Sequence, residues 1–310
     1  MITTVTLSPC IDKTAVLDTF DPEKVNRVIT SRLDAGGKGV NVSLALAALG
    51  IRSRAVGLNF EHGESIEETL RGAGVDSDFI KCSGNIRTNL KIYVRDTKRT
   101  IEINEQNPEV SRESVDKIIG KCRRLASGAE NDIFVLAGSI PPGMSADIYA
   151  QLIAAVKSEN PSAKVILDAV GEPLMNGLSA SPYMIKPNVE ELEKSFGVKL
   201  ANDDAVAALC RDIISKYGVG LVLVSKGADG AIAVTDTETV SVPALRVDAK
   251  SAQGAGDAMV AGACLALSQG KSVGDILKYG TCAAAGAVER EGTAFCTRER
   301  FEELGDLINY

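Results

Sequence analysis

The order of apolar patterns along these 310 residues predicts an α/β fold, a mostly parallel central sheet between helix layers with a small β-sheet inserted as a lid. Three observations lead there. Strand-length apolar runs alternate with helix-length amphipathic ones from residue 111 onward, and such alternation implies right-handed crossovers between parallel strands. Pairs of short alternating runs at about 12–34 and 86–106 interrupt that rhythm and read as the lid. Apolar residues make up 45% of the chain, enough for the sizeable core of one large domain, and no linker or repeat divides it.

Taken in order, residues 2–8 alternate apolar residues with Thr and read as a strand. Asp12, in Ser8-Pro9-Cys10-Ile11-Asp12, is expected in the turn after that strand, where α/β folds place ligand groups. Residues 13–18 and 27–33 read as short strands joined by the polar Asp21-Pro22-Glu23-Lys24. The glycine-rich stretch Asp34 to Asn41 opens a helix that runs to Leu49 and closes at Gly50. A strand at 53–58, a helix at 63–72, a short strand at 78–80 and a hairpin over 88–104 follow. Then come helix 111–127, strand 132–137, helix 145–158, strands 164–168 and 183–186, helices 189–196 and 203–217, and strand 220–225. Residues 230–235 and 238–243 read as an edge hairpin, and helices at 256–269, 273–290 and 297–308 complete the chain.

Composition narrows the chemistry. The net charge of −7 argues against a nucleic-acid or membrane-surface partner. The seven cysteines are scattered, without C-x-x-C spacing, and read as reduced thiols. With no targeting pattern and no apolar run of membrane length, a cytoplasmic protein is expected. His62 is the only histidine and reads as surface, so a Ser-His-Asp triad or a His-rich metal site has nothing to be built on.

Chemistry concentrates in Ser251-Ala252-Gln253-Gly254-Ala255-Gly256-Asp257, which runs straight into an apolar helix. Small residues in the first turn leave backbone N–H groups bare where the helix dipole is positive, which makes an anion site. Asp257 at its mouth is either a first-turn acid that complements the dipole or a general base for an attacking hydroxyl. Asn188 and Glu191 are spaced as a capping box, which by itself explains both. Ser225-Lys226-Gly227-Ala228-Asp229-Gly230 reads as a strand-to-hairpin turn. Lys38 is the one long side chain in a turn otherwise made for close backbone approach, and with Arg27 and Arg87 it offers a cation cluster suited to a phosphate. Neither glycine cluster fits G-x-G-x-x-G. Lys38 is followed by Gly rather than Ser or Thr, and Gly270-Lys271-Ser272 has Leu265 where a Walker loop needs Gly.

The A-G-G-K-G-x-N stretch at 35–41, G-S-x-P-P-G at 138–143, K-P-N-x-x-E at 186–191 and G-A-G-D at 254–257 occur together in this order. The set resembles the ribokinase-like (PfkB-type) carbohydrate kinases, and within them the phosphosugar branch. The resemblance implies a ribokinase-like three-layer α/β/α sandwich with Asp257 as base and Gly254, Ala255 and Gly256 as the anion hole. It places Asp12, Gly37, Asn41 and Ser139 on the sugar, and Lys38, Arg27 and Arg87 on the sugar's phosphate. It places ATP against Lys186, Asn188, Ser225, Gly227, Gly230 and Ser251, with Glu191 holding Mg²⁺ through water. The implied reaction is ATP-dependent phosphorylation of a phosphorylated ketohexose, D-fructose 1-phosphate or else tagatose 6-phosphate. A free-sugar or nucleoside kinase would have no use for three cations, and a non-catalytic sugar-phosphate sensor would not need the base. The lid strands should leave an apolar face that a second subunit covers, giving a homodimer through the lids. Ser8 stands where the family usually has Asn, Gln106-Asn107 where it has Pro-Gly, and Ala252-Gln253 where it has Thr-Val or Pro-Val.

Overall fold

The structure, a computed structural model, describes residues 1–128, 132–290, 292 and 294–308. Its large sheet has nine strands among the described residues, in the order β13-β12-β11-β10-β9-β8-β1-β4-β5. These are β1 (Ile2–Thr6), β4 (Ser53–Glu61), β5 (Asp76–Asn85), β8 (Ile133–Ala137), β9 (Lys164–Asp168), β10 (Met184–Ile185), β11 (Leu221–Ser225), β12 (Ala231–Val234) and β13 (Thr239–Val242). All pairings from β5 to β11 are parallel, and the pairings β11–β12 and β12–β13 at the edge are antiparallel.

Alternation within the strands supplies two cores. Phe134 and Leu136 of β8 face one side, and Ile133 and Val135 the other. On the first side pack α2 (Glu64–Gly72), α3 (Arg112–Ala126), α4 (Ile148–Glu159), α5 (Glu172–Leu178), α6 (Val189–Phe196) and α7 (Asp203–Tyr217). On the second pack α1 (Lys38–Ala48), α8 (Ala255–Ser268), α9 (Val273–Val288) and α10 (Arg298–Gly305). The expected three layers are therefore present. Helix α8 is buried from Asp257 to Leu267, which its all-apolar sequence requires. Gly262, the weak point of that helix by propensity, sits where a side chain would collide with the Tyr279 carbonyl oxygen of α9. The two helices approach too closely there for any Cβ.

The lid is a four-stranded sheet in the order β3-β2-β6-β7, formed by β2 (Cys10–Leu17), β3 (Thr30–Gly36), β6 (Thr88–Val94) and β7 (Arg99–Asn104). It begins earlier than the sequence pattern indicates. Cys10 already pairs with Gly36, so Asp12 lies within β2 and not in the turn after β1; only Leu7, Ser8 and Pro9 separate the two strands. Two further expectations are corrected. The short strand at 78–80 is the ten-residue edge strand β5, and α5 was not anticipated.

β1 has β4 on one side and β8 on the other, so the chain departs in both directions from it. Open α/β sheets bind ligands at such a switch point, outside the carboxyl ends of the strands. Ser8 follows β1, Gly138 and Ser139 follow β8, and the N-termini of α1 and α8 meet them there.

Candidate active site

A cavity of about 320 Å³ opens at this switch point, roofed by the lid. Ser8, Gly37, Lys38, Asn41, Gly138, Ser139, Gly254 and Asp257 line it from the large sheet's side, and Cys10, Asp12, Arg87, Asn89 and Lys91 from the lid's. A second groove of about 470 Å³ on α6 and α7 holds no buried acid and no glycine turn.

Gly254 caps α8 with φ 77, a left-handed conformation that favours glycine, and provides no side-chain cap. The N–H groups of Gly256 and Asp257 are thus left without an intrahelical partner. Ala255 N–H is engaged with the Ala252 carbonyl at 3.4 Å, so it is a weaker member of the expected anion hole. Lys186 stands against this turn: a Cβ added at Gly256 would lie 3.3 Å from its Nζ.

Asp257 is 7% exposed and accepts a hydrogen bond from Asn41 Nδ2 at 2.8 Å. Burial, and then the charge of Asp168, push its carboxyl up to about 6, against the pull of the Asn41 bond, Lys38 and Lys186. An acid poised there is ionised at neutral pH yet basic enough to take a proton. Asn41, expected on the sugar, is thus tied first to the base.

Lys38 lines the cavity and is also ion-paired there. Its Nζ lies 3.0 Å from Asp168 Oδ1, and the charges of Asp168 and Glu191 outweigh its burial and hold the ammonium above its usual range. Asp168 closes β9, is 1% exposed, and also faces Lys186 Nζ at 3.7 Å. Its Oδ2 has no partner among the described residues. Sequence reasoning passed over Asp168, though an acid ending an apolar parallel strand is a signal.

Arg27 is exposed and is not part of the cavity wall. The reason is geometric: β2 pairs with β3 from Asp12↔Asp34 out to Val16↔Thr30, and Arg27 lies beyond that far end. At about 3.3 Å per strand residue this is roughly 15 Å from Asp12. The cavity's lid cations are instead Arg87 and Lys91. Arg87 donates to the Ser8 carbonyl at 3.0 Å, the Pro9 carbonyl at 3.3 Å and Asn89 Oδ1 at 3.1 Å. Lys91 Nζ lies 3.3 Å from Asp12 Oδ2, and Asn89 Nδ2 donates to Asp12 Oδ1 at 2.9 Å. Arg87, just ahead of β6, and Asn89 and Lys91 within it fall on alternate positions, a period-two signal in the sequence that singles out Lys91 as well as Arg87.

On the other flank, Asn188 and Glu191 form the capping box of α6, Asn188 Oδ1 accepting from Glu191 N and Glu191 Oε2 from Asn188 N. Asn188 also bridges Ser225, whose N–H bonds the Pro187 carbonyl at 3.1 Å. The turn holding Gly227 and Gly230 therefore abuts the stretch from Lys186 to Glu191. Ser251 Oγ accepts from Gln253 N at 3.2 Å just ahead of the anion turn.

A glycine turn at a helix N-terminus, a buried acid beside it and a lid above them make the apparatus of a phosphoryl-transfer enzyme, a kinase. Comparison with known proteins specifies which. The model of the pfkB family carbohydrate kinases matches residues 5–300, and the chain belongs to that family. It is 33% identical to a 1-phosphofructokinase of Borreliella burgdorferi, covering 99% of this chain and 95% of that one. It is 34% identical to a 1-phosphofructokinase of Rhodobacter capsulatus, covering 99% and 96%. The phosphofructokinase-2 of Escherichia coli, solved with fructose-6-phosphate, superposes with a TM-score of 0.90 at 25% identity over 99% of this chain and 98% of that one. Among the described residues no helix is long and apolar enough to cross a membrane.

Proposed function

We propose that this kinase transfers the γ-phosphoryl group of ATP to a phosphorylated ketohexose, D-fructose 1-phosphate, giving D-fructose 1,6-bisphosphate. One observation carries the reading: a single cavity holds a buried acid and an anion turn on one side and two lid cations, Arg87 and Lys91, on the other. A free sugar has no group for those cations. Their spare N–H donors suit the phosphate already on the substrate.

In this reading Asp257 accepts the proton of the sugar's 6-hydroxyl as its oxygen bonds to the γ-phosphorus and the bond to the ADP oxygen breaks. The open N–H groups at the start of α8, with Lys186 beside them, stabilise the charge on the phosphoryl oxygens in flight. Asn41 holds the carboxylate in place, and Gly37 lets the α1 turn approach the sugar. Ser139, following β8, faces the sugar across the cavity. The nucleotide lies along Ser225 to Gly230, Asn188 and Ser251.

The donor set fits a Mg²⁺ ion carried mainly by the nucleotide's own phosphates. Among the described residues no cluster of three acidic, Cys or His side chains could hold a metal alone, and Glu191 keeps Oε1 free of the capping box. When bound, the ion neutralises phosphate charge, and Glu191 would reach it through water. The lid excludes water, so that ATP is not hydrolysed. We further propose that two chains pair through their lids.

The test is ADP release against free and phosphorylated ketohexoses. D-fructose 1-phosphate should be the preferred acceptor, with tagatose 6-phosphate the nearest competitor. Arg87→Ala should raise KM for the phosphosugar by about 10- to 100-fold, one charge-assisted contact, while KM for ATP stays put. Equal turnover of free and phosphorylated sugars would overturn the reading.

A further inference from the structure

The acid on the lid side of the cavity is already saturated. Asp12 Oδ1 accepts from Asn89 Nδ2 at 2.9 Å and from the Cys10 thiol at 3.4 Å, while Oδ2 accepts from Lys91 Nζ at 3.3 Å and from Gln253 Nε2 at 2.9 Å. An ionised carboxylate offers about four lone-pair sites, so four donors fill it. Asp12 is also only 5% exposed.

Three of the four donors come from the lid itself. Gln253 does not: it precedes the anion turn, and its bond to Asp12 is the link between lid and turn within this cavity. Its backbone is pinned too, because its N–H donates to Ser251 Oγ at 3.2 Å. The orientation of its amide follows from the partner. A carboxylate can only accept, so Nε2 faces Asp12 and Oε1 points elsewhere. Oε1 has no hydrogen-bond partner among the described residues, and Gln253 lines the cavity.

We infer that Gln253 is a substrate-contacting, specificity-determining residue, its Oε1 accepting a hydrogen bond from a ring hydroxyl of the ketohexose phosphate while Nε2 is fixed by Asp12. The inference rests on the reading of this cavity as a phosphosugar site. Asp12 then fixes the amide by accepting from Nε2, Asn89 and Lys91 have N–H groups to donate to sugar oxygens, and Oε1 of Gln253 adds an acceptor. A sugar epimer that turns this hydroxyl away forfeits the bond, so the amide discriminates between epimers.

The experiment compares the wild-type chain with Gln253→Met, which keeps the volume and removes both polar atoms. Steady-state kcat/KM is measured for D-fructose 1-phosphate and for its C3, C4 and C5 epimers, each as the 1-phosphate. Gln253→Met should raise KM for D-fructose 1-phosphate and compress the preference over at least one epimer by roughly tenfold, the size of one hydrogen bond. KM for ATP should not move. A merely structural tether would change all four sugars by the same factor, and unchanged ratios overturn the inference. Asp12→Ala serves as the reference for the site. If it raises KM for the sugar phosphates while Gln253→Met leaves every value as in the wild type, Gln253 alone is excluded. If the wild-type chain phosphorylates none of the four, the phosphosugar reading fails and this inference with it.

Discussion

Asn107 Nδ2 donates to Ser8 Oγ at 2.7 Å, joining the chain after β7 to the turn after β1 in a buried bond. Both residues are departures from the family pattern, and in this chain they are bonded to each other. The family usually has Asn at the position of Ser8 and Gly at the position of Asn107. Asn107 is 5% exposed, so its amide is not satisfied by bulk water. Asn107→Ala and Ser8→Ala should each destabilise by about 1–3 kcal/mol, the cost of stranding a buried partner. The double variant should cost less than their sum, because each single change already removes the shared bond. Urea unfolding of the four proteins checks this, and strict additivity would show that the pair is not coupled.

The lid presents an outward face as well as the cavity face. Lys13, paired with Leu33 on β3 and with Leu90 on β6, shares a face with Ile103, which pairs with Leu90; Asp12 and Asn89 point to the other. Leu33 is 65% exposed and Ile103 54%. Exposed aliphatic residues at both edges of a sheet face call for a cover, and a second lid related by a two-fold axis would provide one. The chain should sediment as a dimer at micromolar concentration, and Leu33→Glu should shift it toward monomer. A wild-type monomer under those conditions counts against the lid interface.

Much of this was legible in the sequence because the signals are local. The G-A-G-D turn announces itself by composition, and periodicity finds α7 and α8 to within a residue or so of their ends. The capping box at Asn188 and Glu191 is a spacing and was read as one. What was not legible is pairing at a distance. Lys38 and Asp168 are 130 residues apart, so nothing near Lys38 says that its ammonium is committed to β9. Arg27 is a single cation beside a lid strand; only the β2–β3 register shows that it lies beyond the far end of that pairing, away from the cavity. Asp12 is expected in a turn because it follows the first strand, whereas pairing with β3 draws the chain into a strand from Cys10 onward.

The charges around Asp257 make a pH prediction with opposite signs. The Asp168 charge raises the Asp257 carboxyl, and the Lys38 charge lowers it. Asp168→Asn should therefore move the acid limb of the kcat/KM profile to lower pH, and Lys38→Met should move it to higher pH. Each displacement should be up to about one unit, the usual spread produced by neighbouring groups. Lys38→Met leaves Asp168 with only the more distant Lys186, which reinforces the upward shift. If both variants move the limb the same way, or neither moves it, Asp257 is not the group that titrates there.

Asp257→Asn tests the mechanism itself. Asn keeps the size and can still meet Asn41, but it cannot take a proton from the acceptor hydroxyl. Turnover should fall by roughly 10²–10⁴, the range for loss of a general base, while ATP and sugar-phosphate affinities stay near those of the wild type. Stability moves the other way. The folded carboxyl titrates at about 6, above its ordinary 3.8, so between those values the folded chain holds a proton that the unfolded chain has released. Stability is therefore lost as pH rises through that window, and at pH 7 the wild type bears the whole cost of a buried charge. Asp257→Asn removes it, so the variant should melt above the wild type at pH 7, and the gain should shrink as pH falls toward 4. If Asp257 served only as a first-turn acid complementing the α8 dipole, the variant would melt lower and turn over almost normally. Melting temperature and kcat measured on the same preparation at pH 7 and pH 5 separate the two, and near wild-type turnover would remove Asp257 as the base.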